Sequence, residues 1–236
     1  CIRDRAENLQ KVQENIAAAL AKRTEKKVTG DHVTLVAVTK NHPAQVILDI
    51  EALQIGNVGE NRVQEAKQKQ EQIGHRGRWH LIGHLQTNKA KQAVALFDLI
   101  ESVDSEKLLL TLDKEAEKQN RVLDILLQIN VAQEPQKTGF APAEYEAIVA
   151  KLDRFTHLRV RGLMIIAPQT QEEAVIREVF RQGYRYFCAL QAQRPEVDCL
   201  SMGMSGDYPL AVEEGANIVR VGTGLFGQRD YSQRGY

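Results

Sequence analysis

Ile2, Ala6, Leu9, Val12, Ile16 and Leu20 recur three or four residues apart, with Arg, Glu, Gln and Lys between them, which predicts a long amphipathic helix at the start of the chain. It is expected to end before Lys26-Lys27 and Gly30. From there, short apolar runs alternate with longer periodic stretches. The runs at 34–39, 57–59, 79–83, 99–103, 123–130, 158–164, 199–203 and 218–221 read as strands, and the stretches at 43–54, 62–73, 87–96, 105–120, 142–153, 171–193 and 208–214 read as helices. The run at 57–59 is the shortest and carries Gly59. Strict alternation implies parallel strands joined by crossovers, and eight units favour a closed barrel over an open doubly wound sheet. The expected fold is α/β: a single (β/α)8 TIM barrel with an extra N-terminal helix, occupying residues 1–236 as one domain.

A barrel gathers the carboxyl ends of its strands at one mouth. Lys40, Asn61, His80, Ser102, Asn130, Met164, Ser201, Ser205 and Arg220 fall at or near such ends. Lys40 closes the apolar run Val33-Thr34-Leu35-Val36-Ala37-Val38-Thr39 and precedes the turn-like Asn41-His42-Pro43. Burial at an apolar mouth disfavours the ammonium form and frees the amine to form an imine, whereas a strand-end lysine in solvent does nothing of the kind.

Near the other end, Ser201-Met202-Gly203-Met204-Ser205-Gly206-Asp207 and Arg220-Val221-Gly222-Thr223-Gly224-Leu225-Phe226-Gly227 supply hydroxyls and bare backbone amides. The glycines from 222 match G-x-G-x-x-G, but too little chain follows for a dinucleotide fold. The same segment behind the last strand of a barrel is the common phosphate position, and a ligand-free glycine turn is the plainer reading. An imine-forming lysine beside a phosphate cradle suggests pyridoxal 5′-phosphate (PLP).

Arg220 sits among apolar neighbours and needs a fixed partner, either a buried carboxylate or the pyridine nitrogen of that cofactor; the second arrangement would weaken the ring as an electron sink. His80 reads equally as a mouth residue or an interior imidazole. With His84 it has i,i+4 spacing, but on a strand end this is poor metal geometry, so no metal is expected. Asn61 reads as a ligand contact or a helix cap, and Met204 as core or pocket wall.

Lys plus Arg and Asp plus Glu each total 31, so no global field favours nucleic acid or an anionic membrane surface. Three cysteines, Cys1, Cys188 and Cys199, without CxxC spacing argue against a disulfide framework or zinc ribbon and point to the reducing cytoplasm. No apolar run approaches a membrane span, and the charged amphipathic start is unlike a signal peptide. The first residue is Cys1 rather than Met, so a few leading residues are expected before it.

Taken together, Ala37-Val38-Thr39-Lys40, Gly59-Glu60-Asn61, the segment from Trp79 to Lys89 (WHLIGHLQTNK), Gly162-Leu163-Met164, the Ser201–Asp207 segment and Val219–Gly227 resemble the pyridoxal phosphate homeostasis protein family, single-domain relatives of the alanine racemase barrel. The motifs occur in family order across nearly the whole chain. His84 departs from the pattern, standing where many members carry a small residue. The resemblance implies PLP bound as a Lys40 aldimine, its phosphate held by Ser205, Gly222 and Thr223, and Arg220 near the pyridine nitrogen. It further implies a role in vitamin B6 balance, storing or delivering PLP to apo-PLP enzymes, without robust catalysis. Two-domain alanine racemases complete their site with a second-domain tyrosine across a dimer, a domain this chain lacks, so a monomer is expected. The competing readings are a weak PLP-dependent racemase and a Schiff-base aldolase-like barrel holding a sugar phosphate.

Overall fold

In a computed structural model of the chain, residues 1–227 are described. Eight parallel strands close a barrel in sequence order: β1 Thr34–Val38, β2 Asn57–Glu60, β3 Arg78–Leu81, β4 Leu99–Val103, β5 Leu123–Ile129, β6 Leu158–Ile165, β7 Cys199–Met202 and β8 Ile218–Val221. The seam is closed by β1 on β8, with Val36 opposite Arg220 and Ala37 opposite Val221. The expected eight-stranded parallel barrel with an extra N-terminal helix is the observed one; residues 228–236 of the expected domain lie outside the described residues. The short second run is a true strand that extends one residue further, to Glu60.

Outer helices follow the strands: α2 Gln45–Ala52, α3 Val63–Ile73, α4 Ala90–Leu96, α5 Glu106–Lys118, α6 Pro142–Val149, α7 Glu173–Gln193 and α8 Tyr208–Glu213. The N-terminal helix α1, Ile2–Ala21, buries Leu9, Val12 and Ala19. It packs on α8 and on a last short helix α9, Thr223–Phe226. Asn8 donates to the Leu225 carbonyl and Asn15 to the Tyr208 hydroxyl. Arg5 pairs with Asp49 of α2. The buried stripe of α1 begins after Ile2, which is exposed.

Strand side chains alternate between two environments. Ala37, Val58, Trp79, Leu81, Ile100, Ile125, Leu127, Leu163, Leu200, Val219 and Val221 belong to the main apolar core between sheet and helices. Residues of opposite parity face the barrel axis. There a small separate cluster, Leu99, Leu126 and Met164, lies beside buried polar groups: His80, Glu101, Ser201 and Arg220. Barrel interiors are filled mainly by branched apolar side chains; this one carries buried polar groups under its mouth.

Candidate functional site

Val36, Val38 and Lys40 share one parity, so the interior face of β1 continues one step past its end into Lys40 at the mouth. There a cavity of about 290 Å³ is lined by Val38, Lys40, His42, Asn61, Ile82, Ile166, Met204, Ser205, Gly206, Arg220, Gly222, Thr223 and Gly227. Seven of the eight residues expected to form the site thus meet in one place: Lys40, Asn61, Met204, Ser205, Arg220, Gly222 and Thr223.

The phosphate-sized end is built from backbone. After β7 the chain turns at Gly203, whose φ is +99°; an added Cβ there would stand 2.7 Å from Tyr208 Cα and 2.8 Å from Ala211 Cβ, so only glycine fits. The Asp207 carboxylate then accepts the Met204 N–H at 2.7 Å and fixes the loop that presents Ser205. Burial pushes the Asp207 carboxyl up, against the Met204 hydrogen bond and the charges of Arg220 and Lys137. The Ser205 hydroxyl oxygen accepts both the Gly222 N–H at 3.2 Å and the Gly224 N–H at 3.1 Å. An alanine at 224 would bring its Cβ to 2.8 Å from Val221 Cγ1. Two amide donors and a hydroxyl converging without side chains in the way suit a phosphate's oxygens.

At the floor of the cavity Arg220 is 2% exposed. Its Nη1 donates to Ser201 Oγ at 2.5 Å and its Nη2 to the Ile165 carbonyl at 3.1 Å. Burial lowers the guanidinium from its ordinary value, opposed by the charges of Glu101 and Asp207. The arginine lines the cavity, and its direct partners are a hydroxyl and a backbone carbonyl, with the Glu101 and Asp207 charges in its field.

His80 does not reach the mouth. It is buried below, with Nε2 2.9 Å from Asn57 Oδ1 and Nδ1 3.4 Å from Glu101 Oε2, because its parity on β3 turns it to the axis one layer down. The second contact is an ion-pair distance rather than a well-formed hydrogen bond. Burial acts to raise the Glu101 carboxyl, but His80, Arg220 and Ser201 outweigh it and hold that carboxyl below its usual value. His84 lies at the surface, 3.1 Å from Asp104.

Two features were not anticipated from sequence. His42 lines the cavity, its ring centroid 4.8 Å from that of Phe226 in α9. On the outer side of β1 and β2, Lys69 of α3 is buried with Glu60 and Glu65. Larger cavities exist elsewhere, including one of about 620 Å³ between α7, α8 and the segment after α1, but it is a surface cleft of mixed charge, lined by Arg177, Arg181, Glu213 and Glu214 among others.

This parallel barrel falls in the alanine racemase barrel class: the family described as "Alanine racemase, N-terminal domain" matches residues 8–230. Relatives from Pasteurella multocida and Escherichia coli K12, both named pyridoxal phosphate homeostasis protein, are each 36% identical; the first match covers 96% of this chain and 98% of the relative, the second 98% and 99%. The chain belongs to this pyridoxal phosphate homeostasis protein family. PipY of Synechococcus elongatus, solved without PLP and with PLP bound, is 40% identical to it in both states, with TM-scores of 0.82 and 0.81; the PLP-bound structure matches 94% of this chain and 100% of its own. Alanine racemase of Clostridium difficile, at 14% identity and a TM-score of 0.74, shares the fold over 57% of its length.

Proposed function

We propose that this protein binds pyridoxal 5′-phosphate at the barrel mouth and serves intracellular vitamin B6 homeostasis, storing the cofactor and handing it to apo-PLP enzymes. The observation that carries the reading is the convergence of Lys40, the Ser205–Gly222–Gly224 cradle and Arg220 on one cavity. PLP supplies an aldehyde, a phosphate and a pyridine nitrogen at three corners of one flat ring. Lys40 offers an amine where the strand ends. Ser205, Gly222 and Thr223 offer donors for the phosphate. Arg220 offers fixed N–H groups from below, Asn61 a side-chain amide just past β2, and Met204 an apolar wall. His80 then supports the floor through Glu101 rather than touching the ligand.

A permanent guanidinium under the ring nitrogen opposes its protonation and makes a poor electron sink, which suits holding the cofactor better than turning over amino acids. We read the chain as one binding unit, monomeric and cytoplasmic; its three free cysteines fit a reducing compartment. Among the described residues no helix is long and apolar enough to cross a membrane. One observation favours a second reading, weak racemisation: His42 gives the cavity a titratable ring besides Lys40.

The test is titration of the purified protein with PLP, read by visible absorption, followed by mixing with a PLP-free apo-enzyme. Saturable binding and recovery of the acceptor's activity are expected. Failure to bind, or binding that never reaches an acceptor, contradicts storage and delivery respectively.

A further inference from the structure

Lys69 lies on the opposite side of β1 from the cavity and is 4% exposed, an uncommon state for a lysine. Its ammonium donates to three oxygens: Glu60 Oε1 at 2.5 Å, the Thr39 carbonyl at 2.7 Å and Glu65 Oε1 at 2.9 Å. The same Glu60 oxygen accepts the Thr39 hydroxyl at 2.6 Å, and the same Glu65 oxygen accepts the Asn41 N–H at 2.5 Å. One buried cation therefore ties down the residue before Lys40 and, through Glu65, the residue after it.

The residues on either side are the ones that fix where the Lys40 side chain starts. Thr39 has outward parity, and it hydrogen-bonds with its backbone to Gly59 of β2 while its own carbonyl is taken by Lys69. Asn41 has φ +62°, a left-handed conformation that asparagine adopts more readily than most residues, and Glu65 accepts its N–H there. A buried ion pair contributes little to net stability because desolvation offsets attraction, so stability alone is a weak reason for this cluster. Imine formation, by contrast, is sensitive to placement: an amine displaced by about 1 Å loses on the order of 10²-fold.

We propose that Lys69, with Glu60 and Glu65, is a positioning residue for Lys40: it clamps the backbone on both sides of the reactive amine and so governs the covalent step without touching the phosphate or the ring. The inference rests on the PLP reading above. In that step the Lys40 nitrogen adds to the aldehyde carbon and the aldehyde oxygen leaves as water.

The clamp predicts a split between two ligands. PLP engages Lys40 covalently; pyridoxine 5′-phosphate, which has an alcohol in place of the aldehyde, uses the cradle and floor only. Both affinities are measured by equilibrium dialysis for the wild type, Lys69→Met, Lys69→Arg and Glu65→Gln, with Lys40→Ala as the reference for a lost covalent step. Lys69→Met should lower the PLP to pyridoxine 5′-phosphate affinity ratio by roughly tenfold or more and slow adduct formation by up to about 10²-fold, with pyridoxine 5′-phosphate binding little changed. Glu65→Gln should act in the same direction but less, and Lys69→Arg should recover part of the ratio. Because Lys69→Met leaves two carboxylates under-compensated, a Lys69→Met/Glu60→Gln double variant gives the same readout if the single one does not fold. An unchanged ratio, or equal weakening of both ligands, overturns the clamp while leaving PLP binding standing. A wild type whose ratio matches that of Lys40→Ala overturns the clamp and the Lys40 reading together.

Discussion

The hydroxyl oxygen of Ser205 stands 3.2 Å from the Gly222 amide nitrogen, with the Gly224 amide at 3.1 Å, so a loop after β7 and a turn after β8 present their donors at one point. A phosphate entering there exchanges these internal bonds for charge-assisted ones. Such a bond contributes roughly 1.5–3 kcal/mol, so Ser205→Ala should weaken PLP by about one to two decades, and pyridoxal should be affected far less. Equal binding of pyridoxal and PLP to the wild type, in a competition titration, would show that the cradle holds no phosphate.

Glu101 and Arg220 predict an acid dependence of stability. The Glu101 carboxyl is held below its ordinary value in the folded state, so its contribution is present at neutral pH and is lost as pH falls below about 4.5 and through the folded value. Glu101→Gln removes the charge that faces His80 and lies in the field of Arg220, and should lower stability at pH 7. The difference in Tm between wild type and variant should therefore narrow as pH falls below about 4.5, as read by thermal melts. Glu60 and Asp207, whose carboxyls burial raises, have the opposite sign but are common to both proteins. A difference that stays constant from pH 7 to pH 3 would contradict the assignment.

Gly162→Ala should be among the most damaging substitutions in the barrel. An added Cβ would fall 1.7 Å from the Cys199 carbonyl oxygen, backbone that belongs to the neighbouring strand β7 and cannot swing away. Overpacking of this kind costs about 1–3 kcal/mol even where neighbours can relax, so a larger loss is expected here. Expression largely in the insoluble fraction, or a strongly lowered Tm, is the expected result; a wild-type melt would refute the close strand approach.

The barrel was legible because its signal is local: each strand is a short apolar run, and alternation with amphipathic helices leaves few topologies. The placement of Lys40, Ser205 and Gly222 at one cavity was legible for a related reason, since strand ends define a mouth. What escaped depends on distances the chain pattern does not contain. His80 was a candidate and His42 was not, yet parity sends the first under the mouth beside Glu101 and the turn after β1 carries the second into the cavity. The Lys69 clamp joins residues 30 and 9 positions away, Thr39 and Glu60, and nothing in the periodicity of α3 sets this lysine apart from its neighbours. Helix α9 has only four residues, too few for a periodic signal.

Catalysis should be slow. Racemisation needs proton transfer on both faces of the substrate carbon, and a positioned acid or base supplies about 10²–10⁴-fold. Arg220 at the ring nitrogen, as proposed, would remove much of the driving force, and His42 is the residue to replace if any exchange is seen. Holoprotein incubated with L-alanine or L-serine in deuterated solvent should exchange the α-proton slowly and form little D-enantiomer. Turnover on the order of 1–10³ s⁻¹ would favour the racemase reading.

Covalent attachment at Lys40 is the central claim, and it is tested most directly by borohydride reduction of the PLP-loaded wild-type protein followed by peptide mass mapping. The modification is expected on the peptide carrying Lys40, with loss of the visible absorption band on reduction. Stoichiometric labelling of any other lysine in the wild type, or none at all despite tight PLP binding, would contradict it.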